Sequence, residues 1–278
     1  MAVNEQLLRT GRRVLSPFEQ LFDQFQFYGE VLRGLLQAFR YGGVIMRLIT
    51  DVTVGAGALI IGGGMFFVIG SLSFFTGTVV GLEGYEGLEQ IGAQAYVGLV
   101  ASWANTREIT PLIAGIALAA QVGAGYTAEL GAMRISEEID ALEVMSVPSI
   151  VYLVSTRVWA ALIPIIPLYL MALFASYSAT QIIIINYFGL SAGAYHQYFS
   201  LFLPAVDVLY SITKVIIFAV VVVLIHTYYG FYASGGPAGV GVAVGRAIRA
   251  SIVAVVVLNL LMSLLMWGAG GETVRIAG

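Results

Sequence analysis

Long apolar stretches dominate the chain, and short polar segments separate them. Each stretch is close to or longer than the ~20 residues that a helix needs to cross the hydrocarbon core of a bilayer. Trp103, Trp159 and Trp267 lie toward the ends of these stretches, where aromatic rings anchor spans at the membrane interface. The pattern therefore predicts five transmembrane helices, at about 53–81, 95–127, 152–185, 201–228 and 248–268.

The N-terminal region has a different pattern, with one apolar and one polar helical face. The sequence SPFE at 16–19 is a capping box with proline at the first helical position, which predicts a helix start. The apolar face carries Phe18, Leu21, Phe22, Phe25, Tyr28, Leu32, Leu35, Leu36 and Phe39, and the polar face carries Asp23, Gln24, Gln26, Glu30, Arg33 and Gln37. Such a helix lies on a membrane surface, and packing on a soluble core is the alternative. We predict an interfacial segment at 1–45, ahead of a membrane domain at 46–278.

A charged segment at 123–148, between the second and third predicted spans, interrupts the apolar pattern. Ser136 is suited to cap a helix, whose first turn then carries acidic residues where the helix dipole favours negative charge. These acidic residues are Glu137, Glu138 and Asp140. Ile139, Leu142 and Met145 recur at three-residue spacing and form a short apolar stripe. The segment therefore predicts a short acidic surface helix that docks into a soluble partner.

Composition places the chain among integral membrane proteins. Hydrophobic residues make up 59% of the 278 residues and charged residues only 10%, with a mean hydropathy of +0.91. A soluble domain carries about 25% charged residues. The net charge of −3 argues against nucleic-acid binding. The sequence contains no cysteine, which excludes disulfides and a thiol nucleophile. We expect one membrane domain with no separate catalytic domain.

Basic residues are distributed unevenly between the two sides of the predicted spans. One side carries Arg9, Arg12, Arg13, Arg33, Arg40, Arg47, Arg134, Arg157, Arg246 and Arg249. The opposite side carries Glu83, Glu86, Glu89 and Asp207, with Arg107 and Arg275 as the basic residues near it. Because arginine and lysine are enriched in cytoplasmic loops, the first side is predicted to be cytoplasmic. The N-terminus and the acidic helix would then be cytoplasmic, and the C-terminus would lie outside.

Motifs for catalysis are missing from the sequence. No GxxxxGK[ST] phosphate loop occurs, and the glycine-rich run at 235–245 lacks the lysine and the preceding strand, so we predict a loop and a helix start there. His196 and His226 stand 30 residues apart without a pattern of carboxylates. Nothing resembles a hydrolytic triad. The sequence therefore predicts no catalytic residue and no metal site.

A few polar and ionisable residues lie within the apolar stretches. Arg107 and Glu108 interrupt the second span, Lys214 lies two turns into the fourth, and Asn259 is near the middle of the fifth. Charge in a bilayer is costly and usually functional. If the helices form a bundle, these groups are expected to converge on an outward-opening cavity and to meet a lipid head group. The alternative is that Arg107 and Glu108 pair with each other or reach the interface, and only stabilise their helix.

The charged segment also carries a family resemblance. The sequence TAELGAMRISEEIDALEVM at 127–145 resembles the signature cytoplasmic motif of the MlaE/YrbE permeases of lipid-transporting ABC systems. The resemblance continues through ITPLIAGIALAAQVGAG at 109–125, VSTRVWA at 154–160 and HTYYGFYASGGPAGVGVAVG at 226–245, and it covers roughly residues 45–268. The chain is most similar to the B-type YrbE subunits of actinobacterial mammalian-cell-entry (Mce) transporters.

The resemblance implies a fold and a set of partners. The fold would be all-α, with an N-terminal interfacial helix, five transmembrane helices and a cytoplasmic coupling helix between the second and third. This chain would pair with an A-type YrbE permease in the bacterial inner membrane, beneath an Mce-protein hexamer on the outer face. A separate cytoplasmic ATPase would hold ATP and magnesium, so the chain itself would need no cofactor and would not be an enzyme. The transporter would import lipids such as fatty acids or sterols.

The resemblance also implies roles for particular residues. The coupling helix would present Arg134, Glu137, Glu138, Asp140, Leu142, Glu143 and Met145 to the ATPase. Arg107, Glu108, Lys214 and Asn259 would line the lipid cavity, and Asn259 departs from the family pattern because that position is acidic in relatives. Two other functions stay open, a proton-coupled secondary transporter with Glu108 and Lys214 as its relay, and a non-transporting membrane anchor for Mce proteins.

Overall fold

The computed structural model describes residues 22–54 and 64–268, and these residues form helices and short connections without a strand. The helices are α1 (22–38), α2 (Gly42–Thr53), α3 (Met65–Glu89), α4 (Gln94–Ile135), α5 (Glu138–Val144), α6 (Ile150–Tyr187), α7 (Ala192–Leu201), α8 (Ala205–Phe231) and α9 (Gly236–Gly268). Helices α3, α4, α6, α8 and α9 are long and apolar enough to cross a membrane. This confirms the predicted all-α membrane fold with five spans and a short helix between the second and third.

The first span was predicted at 53–81, and its predicted end is wrong. Helix α3 continues to Glu89, because Tyr85 stacks on Phe188 with 4.0 Å between the ring centroids and lies in a small second core. The predicted start falls where α2 ends, and residues 55–63 lie outside the described part of the chain. Tertiary packing therefore extends this helix beyond the stretch that hydropathy marks.

The second and fifth spans are also longer than predicted. Helix α4 runs on to Ile135 because its last turns are packed, with Leu130 fully buried. Helix α9 begins at Gly236 rather than near 248, directly after the left-handed Gly235 at φ 92°, with a proline in its first turn as helix starts favour. The sequence predicted a loop and a helix start within 235–245, and the structure shows the loop ending at Gly235 and the helix starting at Gly236.

Close helix contacts hold the bundle together. Helix α6 lies along α3, and at Gly77 the two backbones are so close that a Cβ would stand 2.3 Å from the carbonyl oxygen of Ser176. Small residues permit this approach between membrane helices. Helix α8 packs against α4, α6 and α9. It thereby brings side chains of α4 and α9 to a common interior.

Helix α1 packs on the bundle along one edge and leaves an apolar face exposed. Phe27 is buried against Tyr228 and Phe231, with ring centroids 5.5 and 5.7 Å away. Phe22 and Leu36, on the predicted apolar face, are 69% and 79% exposed. Exposed aromatic and aliphatic side chains on a helix beside a membrane bundle fit an interfacial position. The predicted capping box at 16–19 lies outside the described residues.

Cavities formed by the described residues open at the end of the bundle that carries α5, here called the α5 end. One, of about 800 Å³, lies between α2, α4, α5 and α6 and is lined by Arg47, Glu129 and Arg157 among others. Another, of about 710 Å³, lies between α1, α8 and α9 and includes Tyr232 and Arg246. Several of the arginines that the sequence assigned to one side therefore do lie together.

Candidate functional site

A group of polar side chains lies among α4, α8 and α9, away from the α5 end. It contains all four residues that the sequence singled out inside the spans, together with three that it did not. We call this group the polar cluster, and its members are Arg107, Glu108, Asp207, Lys214, Asn259, Ser263 and Trp267. The helices thus bring these four residues together, and the members belong to one continuous network.

The local backbone of α4 creates an acceptor for this network. Residues Asn105–Ile109 form a π-helical turn, and Pro111 follows in the next turn. In a regular α-helix the carbonyl of Arg107 would accept from the N–H of residue 111, but proline has none. The Nζ atom of Lys214 donates to that carbonyl oxygen instead, at 2.6 Å. The proline therefore explains why a lysine on α8 is held at this point of α4.

Lys214 is fully buried and fully partnered. Besides the Arg107 carbonyl, its Nζ donates to the hydroxyl of Ser263 at 2.7 Å and lies 3.7 Å from Oε1 of Glu108. A buried ammonium group is tolerated only when its charge is paired and its hydrogens are used. The carboxylate of Glu108 provides that pairing across the α4–α8 interface.

Glu108 connects α4 to α9 as well. Its Oε2 accepts from the amide nitrogen of Asn259 at 2.7 Å, and its Oε1 accepts from the hydroxyl of Ser263. The side chain remains 34% exposed. Glu108 is therefore the member of the polar cluster that both joins three helices and stays accessible.

Arg107 pairs with Asp207 rather than with its sequence neighbour Glu108. Its Nη2 and Nε lie 2.7 and 2.8 Å from Oδ2 of Asp207, and Oδ1 accepts from the indole N–H of Trp267 at 2.8 Å. The Trp267 ring faces both cations, 5.1 Å from the Arg107 guanidinium carbon and 5.2 Å from Lys214 Nζ. Such cation–π contacts are attractive. Within the described residues, the alternative that Arg107 and Glu108 pair with each other is therefore not what the structure shows.

The sequence contained a signal for two of the missed residues. Asn259, Ser263 and Trp267 follow one another at four-residue intervals and so share a face of α9. Asp207 was assigned to an acidic outer loop, but it lies in the first turn of α8 and is buried against Arg107. The local sequence does not indicate Arg107 as its partner, because this ion pair joins two different helices.

The start of the charged segment differs from the prediction. Ser136 does not cap α5, because it ends α4 and donates its hydroxyl to the carbonyl of Ala132 at 2.9 Å. The residue before α5 is Glu137, in a left-handed conformation with φ 60° and no capping side chain. Glu138 and Asp140 do lie in the first turn of α5. Helix α4 runs on past the buried Leu130 and Gly131 to Ile135, so the serine ends this helix instead of starting the next one.

The predicted apolar stripe is divided between the bundle and the surface. Ile139 is fully buried in the core and Leu142 is half-buried, whereas Met145 is 64% exposed. Val144, which the stripe did not include, is 87% exposed. Helix α5 is therefore anchored by Ile139 and presents its C-terminal end outward.

The charged residues of α5 are mostly exposed and locally paired. Arg134 lies 2.6 Å from Asp140, and the Ser149 hydroxyl donates to Glu143 at 2.8 Å. Burial is the main reason that the pKa of the nearby Tyr232 phenol is raised, and Glu30 and Asp23 raise it further. That phenol therefore stays neutral beside α5.

His226 is a satisfied core residue. It is fully buried, with Nδ1 2.8 Å from the Thr127 hydroxyl and Nε2 3.0 Å from the Ser251 hydroxyl. The ring fills the space over Gly123, where a Cβ would lie 2.5 Å from it. In the described part of the chain no group of His, Cys, Asp or Glu is arranged to hold a metal ion.

Five apolar spans, a buried charged network and a short helix projecting from one end define a multi-pass helical membrane protein. The family model of the permease MlaE matches residues 54–265. The chain belongs to the MlaE permease family.

Three relatives illustrate the range of this similarity. A probable ABC transporter permease protein of Rickettsia bellii is 32% identical over 181 residues, which are 65% of this chain and 70% of the relative. The intermembrane phospholipid transport system permease protein MlaE of Haemophilus influenzae is 24% identical, covering 70% of this chain and 76% of its own. The chloroplastic protein TRIGALACTOSYLDIACYLGLYCEROL 1 of Arabidopsis thaliana is 25% identical over a region that covers 73% of this chain and 58% of the relative.

Proposed function

We propose that this chain is the permease subunit of an Mce-type ABC transporter that imports lipids across the bacterial inner membrane. The observation that carries the proposal is the polar cluster, a network of charged groups inside an apolar bundle and remote from the projecting helix α5. Ionisable groups inside a bilayer are rare and costly, and they usually mark a transport route. Membership of the MlaE permease family supports the same function, since relatives are named as ABC transporter and phospholipid transport permeases.

Helix α5 is the coupling helix in this proposal, and it seats in a groove of a cytoplasmic ATPase. Ile139 fixes it to the bundle, while Val144 and Met145 offer an exposed apolar end beside the carboxylates Glu138 and Asp140. An apolar centre with a polar rim is the usual composition of a docking surface. ATP and magnesium belong to that ATPase.

The remaining partners complete the transporter. An A-type YrbE permease pairs with this chain in the membrane, and an Mce-protein hexamer covers the end opposite α5. The α5 end, which gathers Arg47, Arg134, Arg157 and Arg246, faces the cytoplasm. The N-terminus is then cytoplasmic and the C-terminus periplasmic.

The transport step follows from the separation of the two sites. Closure of the ATPase on ATP displaces the coupling helices and changes the angle between the paired permeases. The outer cavity then opens or is squeezed, and a lipid shifts this equilibrium only by its differential affinity for the two states. Apolar side chains of α3, α4 and α9 solvate the lipid tails, and the polar cluster meets the head group.

Affinity purification from the native host tests the proposal. The tagged chain is extracted in mild detergent, and its associated proteins and lipids are identified by mass spectrometry. We expect a second YrbE-like permease, an ATPase and Mce proteins. Recovery of the chain alone and loaded with lipid would favour a proton-coupled secondary transporter. Intact assembly without any transport defect in variants of the polar cluster would favour a non-transporting anchor.

A further inference from the structure

The charges of the polar cluster cancel. Arg107 is neutralised by Asp207, and Lys214 is neutralised by Glu108, with contacts of 2.7 and 3.7 Å. Each cation also faces the Trp267 ring rather than open space. An anionic head group would therefore have to displace a carboxylate that is already paired and hydrogen-bonded. Such a displacement leaves that carboxylate uncompensated, which is strongly unfavourable in an apolar surrounding.

Asn259 is the neutral member of the cluster, and its orientation is determined by Glu108. A carboxylate only accepts hydrogen bonds, so the amide must turn its NH₂ group toward Oε2 of Glu108, 2.7 Å away. The amide oxygen, Oδ1, then points elsewhere. It is buried and accepts no hydrogen bond from any residue that the structure describes. Asn259 as a whole is 92% buried, since only 8% of it is exposed.

The cluster consequently lacks a donor rather than an acceptor. The unpartnered Oδ1 of Asn259 costs free energy until something donates to it. The neighbouring Glu108 carboxylate is 34% exposed and accepts only hydrogen bonds. A ligand that brings an O–H group satisfies both requirements without adding charge, whereas a carboxylate or sulfate brings further acceptors.

An apolar surface continues from the cluster along α9. The outward side of this helix carries exposed valines and leucines, of which Val256 lies one turn from Asn259: Val253, Val256, Val257, Leu260, Leu261 and Leu264. The buried side of α9 is narrow and includes Ser251, Val255 and Asn259. A molecule with a small polar head at Asn259 therefore has apolar protein surface available for its body.

We propose that the polar cluster recognises an uncharged lipid through a hydroxyl head group, which donates to Oδ1 of Asn259 and lies beside Glu108. The substrate class is thus a hydroxyl-bearing neutral lipid, such as a sterol or a long-chain alcohol or glyceride, rather than an anionic one. This inference rests on the proposed function, because it assumes that the cluster lines the lipid route.

Matched lipid probes test the head group directly. The assembled transporter is placed in nanodiscs at pH 8, and a photoreactive long-chain alcohol is crosslinked and mapped to peptides of α9. Two probe series compete with it: oleyl alcohol, oleyl methyl ether and oleate, and cholesterol, cholesterol methyl ether and cholesteryl sulfate. Within each series the apolar body is constant. The members of a series differ only in the charge of the head group and in whether it can donate a hydrogen bond.

The hydroxyl form is expected to compete at a concentration roughly three- to tenfold lower than the ether or the anion, as for one hydrogen bond to a buried acceptor. Asn259→Leu should reduce the affinity for the alcohol to that for the ether. Asp207→Asn should raise the affinity for the anion at least threefold, because it removes the carboxylate that neutralises Arg107. A melting curve for each variant confirms that it is folded.

Three results would overturn the inference: an anion that competes as well as the alcohol in both series, a hydroxyl preference that survives Asn259→Leu, or no competition by any probe. The proposed function is judged by separate measurements, copurification of the ATPase and ATP-dependent lipid transfer by the same nanodiscs. A transporter that moves lipids but prefers anionic probes would contradict the head-group inference and leave the proposed function intact. A chain that binds the alcohols but does not copurify with an ATPase would contradict the proposed function and leave the head-group inference intact.

Discussion

Arg107 forms its ion pair with Asp207, 100 positions further along the chain, although Glu108 is its neighbour. Because consecutive helical residues point in different directions, the two charged side chains of α4 reach different helices. Arg107 holds the start of α8, and Glu108 holds the interior of α8 and α9. Arg107 and Glu108 thus connect α4 to two other spans, α8 and α9.

Removing either member of the Arg107–Asp207 pair should destabilise the protein. Both side chains are largely buried, with 14% and 5% exposed, so an unpaired charge costs about 3 kcal/mol. We expect Arg107→Met and Asp207→Asn each to lower the melting temperature in detergent. The double variant should lose less than the sum of the two, because neither charge is then left alone. Strictly additive losses would show that the pair is not coupled.

Arg107 is also expected to affect transport directly. In the assembled complex, Arg107→Ala should retain the partner subunits but lower ATP-dependent lipid uptake several-fold, because it alters the polar cluster at the lipid route. Glu86→Lys on the exposed face of α3 serves as a control, since it changes charge outside the cluster. Unchanged uptake by Arg107→Ala would limit this residue to a structural role.

Charge reversal on α5 should weaken association with the ATPase while the fold survives. Glu138 and Asp140 are exposed, and the Arg134–Asp140 pair is a surface interaction that contributes little to stability. We expect Glu138→Lys or Asp140→Lys to copurify with less ATPase and to melt at nearly the wild-type temperature. Wild-type recovery of the ATPase by both variants would remove α5 from the docking surface.

Two glycines two residues apart provide a matched test of packing. A Cβ on Gly123 would lie 2.5 Å from the ring of His226, which two hydroxyls hold in place. A Cβ on Gly125 meets nothing within 4 Å. We expect Gly123→Ala to destabilise by about 1–3 kcal/mol and Gly125→Ala to be neutral or slightly stabilising. Equal melting temperatures for the two variants would contradict this packing.

Hydropathy was sufficient for the number of spans, because each must fill a bilayer of known thickness. Hydropathy did not predict the helix ends, because tertiary packing determines where each helix stops. Nothing in the sequence near residue 85 indicates that Tyr85 stacks on Phe188. The glycine-rich run at 235–245 predicted a helix start but not its position at Gly236, which depends on the packing of Ala243 and Ala247. Helix boundaries therefore depend on partners that a local pattern does not contain.

The same limit applies to the polar cluster. The cost of charge in lipid was enough to single out Arg107, Glu108 and Lys214. Their pairing was not accessible, because it depends on how α4, α8 and α9 rotate against one another. Asp207 illustrates this, since the sequence placed it among the acidic residues of the outer side and yet it is buried against Arg107.

Arg157 should transmit force between the helices that flank α5. It is buried at the start of α6, where Nη1 donates to the Leu153 carbonyl at 2.6 Å and Nη2 lies 2.8 Å from Glu129 on α4. Its guanidinium also lies 5.5 Å from the ring of Tyr126. Lysine retains the charge but has one donor centre and cannot reproduce this fork. We expect Arg157→Lys to bind the ATPase normally and to lower lipid transport several-fold.

The control for Arg157→Lys is Arg249→Lys, at an exposed arginine of α9. Both variants keep the net charge and both leave the surface of α5 unchanged, so only the connection between α4 and α6 distinguishes them. The assay compares ATPase copurification, ATP hydrolysis and lipid uptake in the same nanodiscs. Arg249→Lys should match the wild type in all three. If Arg157→Lys also matched it, the contact with Glu129 would carry no force, and motion of α5 would have to reach the bundle through the buried Ile139.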